Sequence, residues 1–138
     1  MAKIVPILSE QEIISLHGSS NEAVVYQRLK STLNDDVLVL YSVPWIEESK
    51  NRNPINGEAD FVIVSQKKGL LTIEVKGGSI EATPGYWYRR TSTGNLEKLR
   101  SPILQALESR KVIEKAIKKI PGYDLTEFST GHCIILAN

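Results

Sequence analysis

The sequence predicts an α/β domain in which a mixed sheet is flanked by helices. Three observations carry that prediction. Two segments repeat apolar residues at helical spacing, four short runs are β-rich and apolar at nearly every position, and a glycine-containing loop joins two of those runs.

Taken in order, residues 13–16 fit a short helical turn before a loop at His17-Gly18. A first long helix is predicted over residues 21–33, capped by Ser19 or Ser20, because Val25, Tyr26, Leu29 and Leu33 fall on one face. Residues 34–36, Asn-Asp-Asp, end it, and residues 37–43 read as a buried strand. The polar stretch 44–57, with Pro44, Pro54 and Gly57, reads as a surface loop. Residues 61–64 and 70–75 form a predicted hairpin across the loop 65–69, and their apolar middles require cover on both faces. Shorter strands follow at 80–82 and 86–91, with turns at Pro84-Gly85 and Thr93-Gly94-Asn95. A second long helix starts with Ser101 as cap and Pro102 at its first position, and Pro121-Gly122 stops it. Residues 132–136 supply the last strand.

Composition narrows the class. With 138 residues, 41% hydrophobic and 24% charged, the chain has the size and balance of one globular domain. The last strand ends almost at residue 138, which suggests a domain from the N-terminal part of a longer polypeptide. No apolar run approaches the roughly 20 residues needed to span a bilayer, and the opening residues do not form a secretory signal. A single cysteine, Cys133, excludes an internal disulfide and fits a reducing compartment, so the expectation is a cytoplasmic protein with no membrane partner. Net charge is +1, but it is unevenly spread: residues 1–60 balance at −4 and residues 61–138 at +5. A basic half can face phosphates without making the whole chain basic. Neither a glycine-rich phosphate loop nor a dinucleotide fingerprint occurs, and His17, His132 and Cys133 lack zinc spacing.

The chemistry concentrates at one place. Asp60 opens one apolar strand, and Glu74 and Lys76 close its neighbour. Residues two apart in a strand share a face, so Glu74 and Lys76 do. With Val64 opposite Leu70, the loop turns about Lys67 and Asp60 falls opposite Glu74, on the same face and about 5 Å away. Two carboxylates so close repel unless a cation lies between them, and oxygen ligands select a hard ion such as Mg²⁺. The competing reading is an exposed hairpin mouth in which Lys76 simply pairs with Glu74. From the residues alone both stand.

The run Gly57-Glu58-Ala59-Asp60-Phe61-Val62-Ile63-Val64, followed by residues 69–77, Gly-Leu-Leu-Thr-Ile-Glu-Val-Lys-Gly, resembles the core of the NERD (nuclease-related) domain. That family belongs to the restriction-endonuclease-like, PD-(D/E)XK superfamily. The similarity extends to Ser20-Asn21-Glu22, to Tyr86-Trp87-Tyr88 and to residues 101–106, Ser-Pro-Ile-Leu-Gln-Ala, and covers about residues 18–138. Ala59 stands where the superfamily motif has proline, a position without ligand chemistry.

The resemblance implies an αβββαβ core with a mixed sheet between helices. It also implies a metal-dependent nuclease acting in DNA processing. Asp60, Glu74, the carbonyl of Val75 and Glu22 would then hold Mg²⁺, with Mn²⁺ as an alternative, and Lys76 would join Asp60 and Glu74 as a catalytic residue. Glu58, Gln105, Trp87, Arg89 and Arg90 are supporting or substrate-binding candidates. Each also has a plainer reading. Glu22 could close a capping box with Ser19, Glu58 could be a solvated loop residue, and Gln105 could sit at the edge of an amphipathic helix. The aromatics at 86–88 could fill a hairpin edge, and Arg110, Lys111, Lys115, Lys118 and Lys119 could be a solvated helix face. The expected partner is nucleic acid, DNA in preference to RNA, with a fused or associated helicase, kinase or other DNA-processing domain. The alternative is a catalytically silent nuclease-fold module that binds nucleic acid or protein beside another enzyme domain, or one that serves oligomerisation.

Overall fold

The chain runs β1 (Lys3–Val5), α1 (Glu10–His17), α2 (Ser20–Thr32), β2 (Val37–Ser49), β3 (Arg52–Ser65) and β4 (Gly69–Gly77). It continues with β5 (Ser79–Thr83), β6 (Tyr86–Arg90), β7 (Leu96–Leu99), α3 (Pro102–Lys118) and β8 (Thr130–Ala137). This is a computed structural model, and it describes residues 1–17, 20–122 and 128–137. One five-stranded sheet has the order β1-β2-β3-β4-β8, and β5-β6-β7 form a separate three-stranded sheet. In the large sheet β3 runs antiparallel to both its neighbours, β2 and β4, while β1 joins β2 and β8 joins β4 in parallel. The result is a mixed sheet flanked by helices, consistent with the restriction-endonuclease-like core. Among the described residues no helix is long and apolar enough to cross a membrane.

Two apolar layers hold the helices to the sheet. On one face Ile13 of α1 and Ala23, Val25 and Tyr26 of α2 pack on Val39, Tyr41, Phe61, Ile73 and Val75. On the other, Ile113 and Ile117 of α3 pack with Ala59, Val62, Leu70 and Val64. The predicted apolar face of the first long helix is therefore its buried face. The hydroxyl of Tyr26 extends that contact to the N-terminal segment, accepting from Leu8 N at 3.0 Å and donating to Pro6 O at 2.8 Å. The start of α3 also follows expectation. Pro102 opens it, and Ser101 Oγ accepts from Leu104 N at 3.3 Å.

The predicted hairpin register is found: Val64 pairs with Leu70 and Phe61 with Ile73. Gly69 makes the tight return possible. Its φ is +107°, and a Cβ there would lie 1.9 Å from the Ser129 carbonyl oxygen, the acceptor of Leu70 N at 2.9 Å.

Several expectations are corrected. The stretch 44–57 is not a loop, because β2 and β3 continue as a ladder to Ser49 and Arg52. Its polar composition reflects an exposed two-stranded arm, where only one side of the ladder needs apolar cover. Pro44 is tolerated because β1 pairs β2 only as far as Leu40, so β2 is an edge strand there. The helical turn at 13–16 is longer, starting at Glu10 with a capping box: Glu12 N donates to Ser9 Oγ at 3.1 Å and Ser9 N to Glu12 Oε2 at 2.7 Å. Strands β1 and β7 were not anticipated, being only three and four residues long. Ser20 lies inside α2 rather than capping it, while Ser19, the Ser19–Glu22 box and Gly18 fall outside the described residues.

The large sheet is irregular at one point. The β2–β3 ladder pairs Tyr41 with Phe61 and Val43 with Ala59, but it omits Ser42 and Asp60 between them. Ser42 has φ +57°, the one non-glycine residue with positive φ among those described. Strict alternation would put Ala59 in the layer of Phe61, yet it packs in the α3 layer. The strand pair is thus kinked at these two residues. Left-handed φ costs an L-residue about 1–2 kcal/mol, and more with a β-branched side chain. Ser42→Gly should therefore be neutral to mildly stabilising in urea unfolding, while Ser42→Val should lose about 1–2 kcal/mol. Equal stabilities for the two variants would rule out the kink.

Candidate active site

Asp60 occupies the kink. Continuing the β3–β4 register one pair beyond Phe61 and Ile73 sets Asp60 against Glu74, but no backbone pair forms there. Instead Val75 N donates to Asp60 Oδ2 at 2.8 Å, so a side chain replaces the missing ladder bond. Asp60 is 9% exposed and Glu74 6%. Glu74 Oε1 meets Lys76 Nζ at 3.1 Å, as their shared face allows. The hairpin mouth is therefore no solvated ion pair, since both acids are buried.

Burial sets the electrostatics. Loss of solvent, then the charge of Glu74, pushes the Asp60 carboxyl up to about 8, against the opposing Val75 N–H bond. Glu74 is also raised, first by burial, with Lys76 lowering it and the charges of Glu22 and Glu58 raising it. The acid on α2 thus acts on both acids of the sheet. Glu22 Oε2 accepts from Tyr41 Oη at 2.6 Å, and burial followed by that bond raises the Tyr41 phenol. Tyr41 is a residue that sequence reasoning missed; its place at the end of an apolar strand looked like ordinary core.

The start of α2 is set against β4 at Gly77. A Cβ on Gly77 would fall 1.8 Å from Asn21 Nδ2, so this glycine admits the helix end that carries Glu22. On the opposite flank Arg89 of β6 donates through Nε to Gly77 O at 3.3 Å. Arg89 is therefore brought to the residue after Lys76.

The other candidates divide. Glu58 is exposed, though its charge reaches Glu74. Trp87 is half-buried in the small sheet, opposite Ala82 and Leu99. Arg90 is not assembled with the site: its guanidinium is held by Glu81 at 3.0 Å and by Gly94 O at 3.0 Å. Gln105 lies beside the buried stripe of Pro102, Ala106 and Ser109 on α3, with its Oε1 buried and lacking a partner. Thr72, on the face of β4 that also carries Glu74, has a similarly unpartnered Oγ1. Arg110 does not belong to a solvated face. It is half-buried, bonding Glu114 at 3.0 Å, Thr130 Oγ1 at 3.1 Å and His132 Nδ1 at 3.0 Å.

The chain matches the family described as Nuclease-related domain (NERD) over residues 17–133, most of its length. It belongs to that family. No curated protein and no solved structure matches it. Family membership gives a nuclease-related domain, and the donor set can then be weighed against a metal. Two buried carboxyl groups, one raising the proton affinity of the other, with a third acid acting on both, suit a hard divalent cation in kind. Among the described residues no three Asp, Glu, His or Cys side chains are gathered around one point as they stand. Glu74 is turned onto Lys76 instead.

A pH test follows from Asp60. Its carboxyl ionises near 3.8 in the unfolded chain and at about 8 in the folded one. The folded state therefore holds this proton more tightly. The stabilisation is complete at acid pH and is lost as pH rises from about 4 to about 8. In EDTA, Asp60→Asn should match the wild type near the acid end and exceed it at alkaline pH by at least about 1 kcal/mol, or about 3–5 °C in Tm. Parallel pH profiles for the two proteins would contradict the burial of an ionisable Asp60.

Proposed function

We propose that this domain is a metal-dependent nuclease that hydrolyses phosphodiester bonds of nucleic acid, DNA in preference to RNA, in DNA processing. The observation that carries the reading is a pair of buried acids on adjoining strands, Asp60 and Glu74, with Lys76 in contact with one of them. Such a group is costly to keep in a fold without a compensating ligand. Asp60, Glu74, Glu22 and the Val75 carbonyl are the residues that would hold Mg²⁺ or Mn²⁺. Bound there, the ion would polarise a phosphoryl oxygen and make water a better nucleophile.

The side chains have separate parts in this mechanism. The Val75 N–H fixes the Asp60 carboxylate, so a ligand meets an oriented acid rather than a mobile one. Tyr41 does the same for Glu22. Glu74, now in contact with Lys76, would turn from it to a bound cation. The Lys76 ammonium would then be free to hold the attacking water and to offset charge in the in-line transition state. The water oxygen would bond to phosphorus as the ester oxygen departs, the water's proton passing to solvent and the departing oxygen taking one up from solvent.

The test uses labelled single- and double-stranded DNA with Mg²⁺, Mn²⁺ or EDTA. Cleavage should require the metal and be lost in Glu74→Ala. Lys76→Ala should retain the fold and cleave about 10²–10³-fold more slowly. Full activity in Lys76→Ala would refute its assignment. Mg²⁺ or Mn²⁺ should also raise the melting temperature of the wild type, by an amount equivalent to about 2.7 kcal/mol at a hundred times Kd, and should not do so in Glu74→Ala. The Glu74–Lys76 pair favours a second reading, a catalytically silent module whose lysine has replaced the ion. That reading requires nucleic-acid binding without cleavage and no thermal response to metal.

A further inference from the structure

The geometry points to a second binding element: the cleft between the β2–β3 arm and α3 is a groove for single-stranded nucleic acid, with Trp45 as its stacking platform. The choice of polymer rests on the nuclease reading; the groove itself rests on charge and shape.

The cleft measures about 320 Å³, and Arg52, Arg100, Lys111 and Lys115 line it against Glu47 and Glu108. The two acids are already matched. Arg100 Nη2 pairs with Glu108, and Lys115 Nζ lies 3.5 Å from Glu47 Oε1. Arg52 and Lys111 have no ion-pair partner among the described residues, and both are exposed. Two unmatched cations across one concave surface concentrate anions there.

Trp45 supplies what a plain anion site lacks. Its Nε1 donates to Ser109 Oγ of α3 at 2.9 Å, and Ser109 is 1% exposed. Its ring lies against Gly57, where a Cβ would come within 2.3 Å of Cζ2. The indole is thus pinned by a helix on one side and a glycine on the other, yet it remains half-buried and lines the cleft. A fixed aromatic beside free cations is the arrangement by which proteins hold single strands, base on ring and phosphate on charge. A paired duplex keeps its bases stacked on each other, so it cannot present one to the indole. Gly57 lies opposite Trp45 and three residues before Asp60, about 10 Å along β3. At no less than the roughly 3.4 Å per nucleotide of a duplex strand that is at most about three nucleotides, close enough for one strand to reach from the groove to the acidic site.

The experiment measures binding by the whole chain in EDTA, so that cleavage cannot intervene. Short fluorescein-labelled oligo-dT, oligo-rU and a blunt duplex are followed by anisotropy between about 50 and 200 mM salt. The single strands should bind more tightly than the duplex, and the two sugars show whether DNA or RNA is preferred. Arg52→Gln/Lys111→Gln, with melting checked, should weaken single-strand binding by at least about tenfold at the lower salt and reduce the slope of log K against log salt by about 1.4. Trp45 and Trp87 are the two tryptophans. In a Trp87→Phe background, the emission of Trp45 should therefore be quenched in step with binding. Wild-type binding in the double variant, or an unmoved Trp45 signal while nucleic acid still binds, overturns the groove and leaves the nuclease reading intact. Equal affinity for a polyglutamate peptide also overturns it, making the cleft a general anion trap. Absence of both binding and metal-dependent cleavage in the wild type removes the nuclease reading, and the groove with it.

Discussion

The bond from Val75 N to the Asp60 carboxylate is the constraint on which the rest of the site depends. A backbone N–H that leaves a ladder must find another acceptor or go unsatisfied at considerable cost. Here the strands part at Asp60 on both sides, from Ser42 and from Glu74, and the acid itself supplies the acceptor. The carboxylate is therefore buried as a condition of the fork rather than as an addition to it. Burial then raises its proton affinity, and the charge of Glu74, itself buried, raises it further. Fold and chemistry share one hydrogen bond at this point.

The acids come from elements far apart in sequence, and each is oriented by a neighbour of another kind. Asp60 is oriented by a backbone amide, Glu22 by a phenol and Glu74 by an ammonium. Tyr41 has a particular part, because its ring packs in the core at 4.9 Å from Phe61 and 5.5 Å from Tyr26 while its hydroxyl reaches the α2 acid. Aromatic packing thus aligns a helix with the strand beneath it, and a single polar atom carries that alignment to the site.

Much of this was legible in the sequence where short-range rules are strong. The turn about Lys67 dictated which residues oppose each other, so the pairs from Val64–Leu70 to Phe61–Ile73 could be set from spacing alone, and the ladder stops one pair short of Asp60 and Glu74. The Ser101-Pro102 start of the second long helix was readable for the same reason, a cap followed by a residue that suits the first turn. The hairpin arm at 44–57 was not, because two prolines and a polar surface imitate a loop when the ladder has an exposed side and an open edge. Nor was the position of Arg110, whose spacing on α3 marks a solvated face until His132 and Thr130 of β8 are brought against it. The kink at Ser42 leaves no trace in residue type, since serine is common in strands and turns alike. Interactions across long sequence separations, such as Trp45 with Ser109, carry no local signal.

Gly77 has a consequence of another kind. Three structural units meet at this one residue: the end of β4, the opening of α2 through Asn21, and the small sheet through Arg89. None of its atoms belongs to an acid or a base, yet a methyl group there would compete with Asn21 for the same space. Drift at position 77 would then separate the helix-borne acid from the sheet-borne pair while every charged residue stayed in the sequence. In this chain the glycine after the lysine is therefore what lets helix and sheet close on each other, which a count of acids does not report.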